Sequence, residues 1–484
     1  MKQIALVFLF GAILSGHLVA QSSLTFFQPL TTAELLASRG QSAAAAELPA
    51  RHSLWRLDFS ALQVALHAAP REFTPAAREH PVVVVFPNGS GALEEFAVWE
   101  TAMMEPELAE RHPYIRTYAG RSVSQPGRTV RFSTTLRGFQ AMIMRPDFGV
   151  EYVRPYVAGE PAFCIAYDRA DAAPGAHPEL STGLMPGAAQ VAALSEQPYA
   201  PAVESRGELL EPVKLKVYRF AVSTTGEFGK DHGGTVPLAL SAVVEYTNEV
   251  NAAFERDIDM RFQLVANNDK IIFVDPVTDP FSGVEAGEWL SQNPAVLNTV
   301  ITPGKYDLGH VYARYITGGA AGVAGAIGNA CLSPNKAEGC STGNLVGNTG
   351  RYEERFLVVI GQEVGHQMGG GHTWNRCGGG GGRQGNTAFE PGSGSTIMSY
   401  AGSCGSDNVQ GYSDLYYHAG SIEEIKNYYL YANGNLCGSY LQTDNNAPVV
   451  TLPYTDNFYI PISTYFELNG SATDADGDKM TYCW

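Results

Sequence analysis

Between Val358 and Trp374 the chain runs Val-Val-Ile-Gly-Gln-Glu-Val-Gly-His-Gln-Met-Gly-Gly-Gly-His-Thr-Trp. Gln362 and His366 are four residues apart, so on a helix they project from one face a turn apart, as two metal ligands must. Glu363 then borders the metal without entering its coordination sphere, where a general base for an attacking water belongs. Gly369, Gly370 and Gly371 end the helix, because glycine readily takes the left-handed conformation that turns a chain. His372 can then fold back as a third ligand. Metal-assisted hydrolysis is the chemistry such a set performs.

A domain must hold these side chains in place, and the sequence on either side supplies one. Val213, Leu215 and Val217 alternate with Lys214 and Lys216, the period-two pattern of a half-buried strand. Pro237 suits a first helical turn, and Leu240, Val243, Thr247, Val250 and Phe254 follow at spacings of three and four on one face. Met260, Phe262 and Leu264 alternate as a second strand, and Tyr306 to Tyr315 reads as another. Ser421 with Glu424 suggests a capping box for a last helix reaching about Tyr431, which closes a mixed α/β domain near Cys437. His418 falls at the start of that helix. His310, on a strand, reads as a satisfied structural histidine.

Upstream, Val82 to Phe86, Thr129 to Ser133 and Phe139 to Met144 are strand-like runs separated by Gly and Pro turns, after an Ala-rich stretch at Ala43 to Ala46. From about Asp168 to Pro212 the composition shifts to Ala, Pro, Gly, Ser and Glu without a sustained period, the mark of an exposed, protease-accessible linker. Downstream of Asn446, Val449 to Leu452 and Tyr465 to Leu468 look like the opening strands of an Ig-like β-sandwich module. The turn Asp474-Ala-Asp-Gly-Asp478 could hold Ca2+, but it lacks a full ligand set and reads as an Asx turn.

Bulk properties narrow the partners. The 484 residues give room for several cores, and 45% hydrophobic against 17% charged residues excludes global disorder. A net charge of -17 repels phosphate backbones and anionic lipid surfaces, so nucleic acid is not an expected partner. The one long apolar stretch follows Lys2 and ends in small residues near Ala20, a secretory signal peptide; nothing downstream predicts a membrane span. The destination is extracellular or cell-surface, where the seven cysteines can pair. Cys331 and Cys340 enclose a short loop and are expected to bond to each other, while Cys377, Cys404 and Cys437 leave one thiol over with its pairing open.

Apart from one letter, Gln362 to His372 is the metzincin zinc-protease signature H-E-x-x-H-x-x-G-x-x-H. Ser395-Thr-Ile-Met398-Ser-Tyr400 supplies the Met-turn 26 residues after His372. With Glu390-Pro-Gly-Ser-Gly-Ser395 and Asn408-Val-Gln410, the chain resembles a secreted bacterial reprolysin-like metallopeptidase over roughly Val213 to Cys437. The Val82 to Tyr156 segment resembles the pro-segment of the same proteins.

The resemblance implies a signal peptide over 1–20, a β-rich pro-segment over 21–167, a linker to be cut over 168–212, an α/β metzincin domain over 213–440, and a partial β-sandwich over 446–484. In that domain a mixed sheet packs on the active-site helix. The implied activity is zinc-dependent cleavage of protein or peptide substrates. Zn2+ would be held by His366, His372 and, in place of the family's histidine, Gln362; Glu363 is the base and Met398 and Tyr400 lie beneath or beside the metal. The pro-segment is the expected inhibitor. By analogy with cysteine-switch proteases Cys164 could cap the zinc, although an ordinary buried cysteine is the plainer expectation.

A neutral amide oxygen is a poorer donor to zinc than imidazole, so Gln362 should weaken binding and impair activity. The competing function is an inactive pseudoprotease that keeps the fold as an extracellular protein-binding or adhesion module. Tyr400 fits either a hydrogen bond near the metal or core packing. The Gly378 to Gly382 run reads as a plain surface loop.

Overall fold

The computed structural model describes residues 24–39, 48–172, 183–184 and 213–482, apart from positions 126, 317–319, 348, 379–381, 444, 454–458, 478–479 and 481. The signal peptide, the alanines at 43–46, most of the linker and Cys483 lie outside the described residues.

Residues 24–168 build a ten-stranded sheet. Its antiparallel meander includes Val82–Pro87, Leu93–Thr101, Arg116–Ser122, Thr129–Thr135, Gly138–Met144, Val150–Pro155 and Phe163–Asp168, then continues into Ser53–Leu57 and Phe27–Leu30. The three strand-like runs of the sequence are thus strands, each extended by one or two residues. The sheet curls until Phe27 and Phe86, from opposite ends of the strand order, bring their ring centroids within 6.2 Å. Alternate side chains such as Phe86, Phe96, Phe132 and Phe139 fill the inside of the curl. The outer face is covered too, so every residue of Gly138–Met144 is buried.

That cover is the long helix Val236–Ile258, which starts with Pro237 in its first turn and ends on Asp259 in the left-handed region at φ 58°. Its apolar face packs on a second, mixed sheet ordered Gly183–Leu184, Gly322–Ala324, Gly339–Gly343, Leu308–Arg314, Lys214–Thr224, Met260–Leu264. Leu308–Arg314, Lys214–Thr224 and Met260–Leu264 run parallel, as does Gly339–Gly343, while Gly322–Ala324 is antiparallel to Gly339–Gly343. The sheet does not stop at Cys437: Ser439–Gln442 pairs antiparallel with the start of Lys214–Thr224. The helix Arg355–Gln367, which carries Gln362, Glu363 and His366, lies against this sheet, buried along its whole length except at Arg355. Among the described residues no helix is long and apolar enough to cross a membrane.

Several expectations need correction. The last helix, Ala419–Tyr431, is capped by His418, whose ring accepts from the Gly420 amide, and not by a Ser421–Glu424 box. Ser421 is inside the first turn, and the Glu424 carboxylate is drawn away to accept the Gly371 amide at 2.9 Å. Cys331 bonds Cys437, and Cys377 bonds Cys404; Cys340 is a free, buried thiol. The short loop between 331 and 340 does not favour a bond, because Cys340 sits on a strand packed with Trp289, Leu290 and Val311, whereas Cys331 packs into the core shared with Cys437. Cys164 is likewise buried, inside the aromatic core of the N-terminal sheet, where burial pushes its thiol pKa up. It is the ordinary core cysteine. Past Asn446 the described residues form only the two-stranded pair Val449–Thr451 with Ser471–Thr473, and Tyr465 to Leu468 is not a strand. Asp474 accepts the Asp476 amide at 2.9 Å, an Asx turn, and no calcium ligand set is assembled there among the described residues.

Candidate metal centre

The helix Arg355–Gln367 ends where its sequence says it should. Met368 closes the last turn and Gly369 takes φ 97°, a left-handed conformation that reverses the chain. A side chain at 369 would also strike Tyr428, which sits 2.7 Å from the position of its Cβ. The reversal brings His372 back to His366. Their Nε2 atoms lie 3.0 Å apart and the rings meet edge to face with centroids 4.5 Å apart.

The partners of the opposite ring nitrogens fix the protonation of this pair. His366 Nδ1 lies 2.8 Å from the Gly370 carbonyl and His372 Nδ1 lies 2.9 Å from the Gly382 carbonyl. A carbonyl only accepts, so each Nδ1 must carry the proton and each Nε2 must present a lone pair. Burial lowers both pKa values, that of His372 to about 4, so neither ring is charged at neutral pH. Two lone pairs facing each other at this distance repel unless a cation lies between them. The pair is therefore shaped for a metal ion.

Around it lie polar atoms with no other occupation. Gln362, one turn before His366, is buried and its Nε2 has no hydrogen-bond partner. Both carboxylate oxygens of Glu363 are buried without partners, and burial pushes its pKa well above the ordinary carboxylate range. Unsatisfied buried groups of this kind are costly and mark places where a ligand belongs. Among the described residues no three His, Cys, Asp or Glu side chains converge as ligands. The donors present are thus two imidazoles and an amide, which fit a divalent cation with two strong bonds and one weak one.

The supporting residues were only partly visible in the sequence. Met398 is fully buried under the helix, where a Cβ on Gly365 would come within 2.7 Å of its sulfur. The Tyr400 ring stands 4.7 Å from that of His372 and 5.2 Å from that of Trp374. His310 is structural, as expected, between Gln367 and Ser341. Residues 379–381 of the glycine run lie outside the described residues; at its end Gly382 supplies the carbonyl that orients His372, and Gln384 accepts the His372 amide. Sequence reading missed Gly322, Gln384 and the role of Glu390. The Glu390 carboxylate accepts from the amides of Ser395 (2.8 Å) and Thr396 (3.1 Å), from the Thr396 hydroxyl (2.6 Å), and from the Thr373 hydroxyl. It fastens the residue after His372 to the turn that carries Met398. The Cys377–Cys404 disulfide makes a second tie between the same two segments.

Residues 214–428 match the family model of the M12B reprolysin-like metallopeptidases. Over that segment the chain is similar to the reprolysin-like metallopeptidases, a family that is zinc-dependent in general. No sequence among the curated proteins matches the chain. A solved structure described as that of a chaperone-substrate complex aligns over 45% of this chain and 34% of that chain, with 14% identity and a TM-score of 0.26. This chain therefore spans about a third of that one's length, and an overlap so poor has no bearing on the fold.

Proposed function

We propose that the protein is a secreted zinc endopeptidase made as a precursor, weakened but not abolished by Gln362. The observation that carries this reading is the facing Nε2 pair of His366 and His372 with the unpartnered carboxylate of Glu363 beside it on the helix. Zn2+ would be held through those two nitrogens and the Gln362 amide oxygen. When bound it supplies Lewis-acid polarisation of the scissile carbonyl and of an attacking water. Glu363 accepts the proton of that water at its carboxylate and returns it to the nitrogen of the leaving amine. Its depth in the fold excludes bulk water from the proton's path. Tyr400, packed edge-on to His372, keeps that ring from rotating away.

Substrate would add as a strand to the sheet edge formed by Gly322–Ala324, where main-chain groups give affinity and alternate side chains enter pockets. In the precursor that edge is taken: Gly183–Leu184, from the linker, pairs parallel to Val323–Ala324. We assign the inhibitory role of the pro-segment to this strand, because a peptide substrate and the linker need the same hydrogen bonds. Two disulfides suit an extracellular destination.

The pseudoprotease reading draws its support from Gln362 alone, and the family match favours the peptidase. Processed protein should carry zinc and cleave casein in a chelator-sensitive way. Protein that stays metal-free in micromolar zinc and leaves casein intact would instead be the binding module.

A further inference from the structure

The acidic face of the long helix Val236–Ile258 has a partner built for it. Glu245, Asn248, Glu249 and Glu255 recur at helical spacing, the arrangement of a solvated stripe, yet all but Glu255 are almost completely buried. The outer face of the N-terminal sheet covers them. Arg137 Nε donates to Glu245 at 2.8 Å, Thr135 donates to the same carboxylate at 2.6 Å, and Arg154 Nη2 donates to Glu249 at 2.9 Å. Asn248 donates to the Phe132 carbonyl at 3.1 Å. Arg131 pairs with Glu255, which Arg261 also holds at 2.6 Å while reaching Glu72 of the N-terminal sheet domain at 2.7 Å.

Two further features go with this charge match. One apolar core runs through both parts, joining Met103, Leu108, Met142, Tyr152 and Tyr167 to the core of the peptidase domain. The outer edge of the peptidase sheet, Met260–Leu264, is closed by main-chain bonds of 2.8 Å from the Leu264 amide to the Met103 carbonyl and from the Glu105 amide to the Leu264 carbonyl. Removing the N-terminal domain would leave a buried acidic stripe unpaired, an apolar core open and a sheet edge bare. These are properties of an obligate interface.

Most of the interface lies away from the chemistry, although the Phe148 ring packs 4.3 Å from that of Tyr416, whose carbonyl accepts the amide of Ile397 beside Met398. The N-terminal domain touches the segment leading into the helix Arg355–Gln367, through Tyr167 to Glu354 and Ala158 to Thr349, while His366 lies eleven residues beyond Arg355, roughly 16 Å along the axis. The described strand that pairs with Val323–Ala324 on the side away from Gly339–Gly343 comes from the linker, not from the N-terminal sheet.

We infer that the N-terminal β-domain is a permanent non-covalent subunit of the processed protein: cutting the linker clears the cleft, and residues 24–168 stay docked on the acidic helix. The inference rests on the reading of 168–212 as a processing linker. To test it, a site for a sequence-specific protease is inserted between Leu194 and Ser195 of the full chain, the protein is cut, and the fragments are followed by gel filtration. They should co-elute one to one, down to about 10 nM as obligate complexes do, and separate only in denaturant. In cut protein Arg154→Met should raise the dissociation rate at least about 100-fold, whereas Arg111→Ala, at the exposed pair with Asp269, should change it less than about 10-fold. Recovery of the N-terminal fragment alone in native buffer, with the remainder separated or precipitated, overturns the inference. The readout needs no activity: fragments that stay paired but cleave nothing would count against the peptidase reading only, and active protein free of the fragment against this one only.

Discussion

A β-carbon added to Gly322 would lie 2.5 Å from Cγ and 2.7 Å from Oε1 of Glu363. The bare backbone at 322 therefore makes the space in which the carboxylate rests, on the same edge strand proposed to receive substrate. Gly322→Ala should leave the protein folded, at an overpacking cost of about 1–3 kcal/mol. Because it displaces the proposed base, kcat should fall about 100-fold or more, with zinc content kept. Unchanged kcat in the folded variant would mean that Glu363 does its work from elsewhere or does none.

Restoring the imidazole is the most direct probe of the ligand set. Gln362→His should tighten zinc by more than the roughly 10–100-fold typical of a lost outer partner, and raise hydrolysis with it. Competition against a chromophoric chelator reads the affinity independently of turnover. Equal affinities in the two proteins would show that residue 362 does not face the metal.

Glu390 acts through its neighbours, as a positioning residue. Glu390→Gln replaces one acceptor oxygen with an NH2 group facing donors, so stability should drop by about 2–3 kcal/mol. A purely structural role would end there. The variant should also bind zinc about 10-fold more weakly well below its melting temperature, because the residue after His372 is no longer fastened to the Met398 turn.

Glu424 gives a pH dependence with a definite sign. Burial raises its pKa from 4.5 to about 7, although its bond from the Gly371 amide pulls the other way. A raised acid is most favourable to folding below the unfolded value and loses that contribution as pH rises through about 7. Glu424→Gln keeps an acceptor for Gly371 without the charge. Relative to the wild type it should gain stability between pH 5 and pH 8, by up to roughly 3 kcal/mol, read by urea unfolding at the two pH values. A constant difference across that range would contradict the shift.

The sequence by itself determined the elements whose pattern is local. The strands at 82–87, 129–135, 138–144 and 260–264 and the helix begun by Pro237 were legible because alternation and helical spacing are set by near neighbours. So was the meeting of His366 with His372, since a helix stopped by left-handed glycine leaves the chain few directions to take. Tertiary structure alone decided the rest. A spacing of nine residues suggested a bond from Cys331 to Cys340, but disulfides follow the direction of Cβ vectors, and those are fixed by strand packing; Cys437, 106 residues away, was the partner. Glu424 looked like a cap for its own helix and instead holds Gly371. The acidic stripe of the long helix carries the pattern of a solvated face, yet it lies under a second sheet, because a charge pattern says what a surface will bind and never whether something is already bound there.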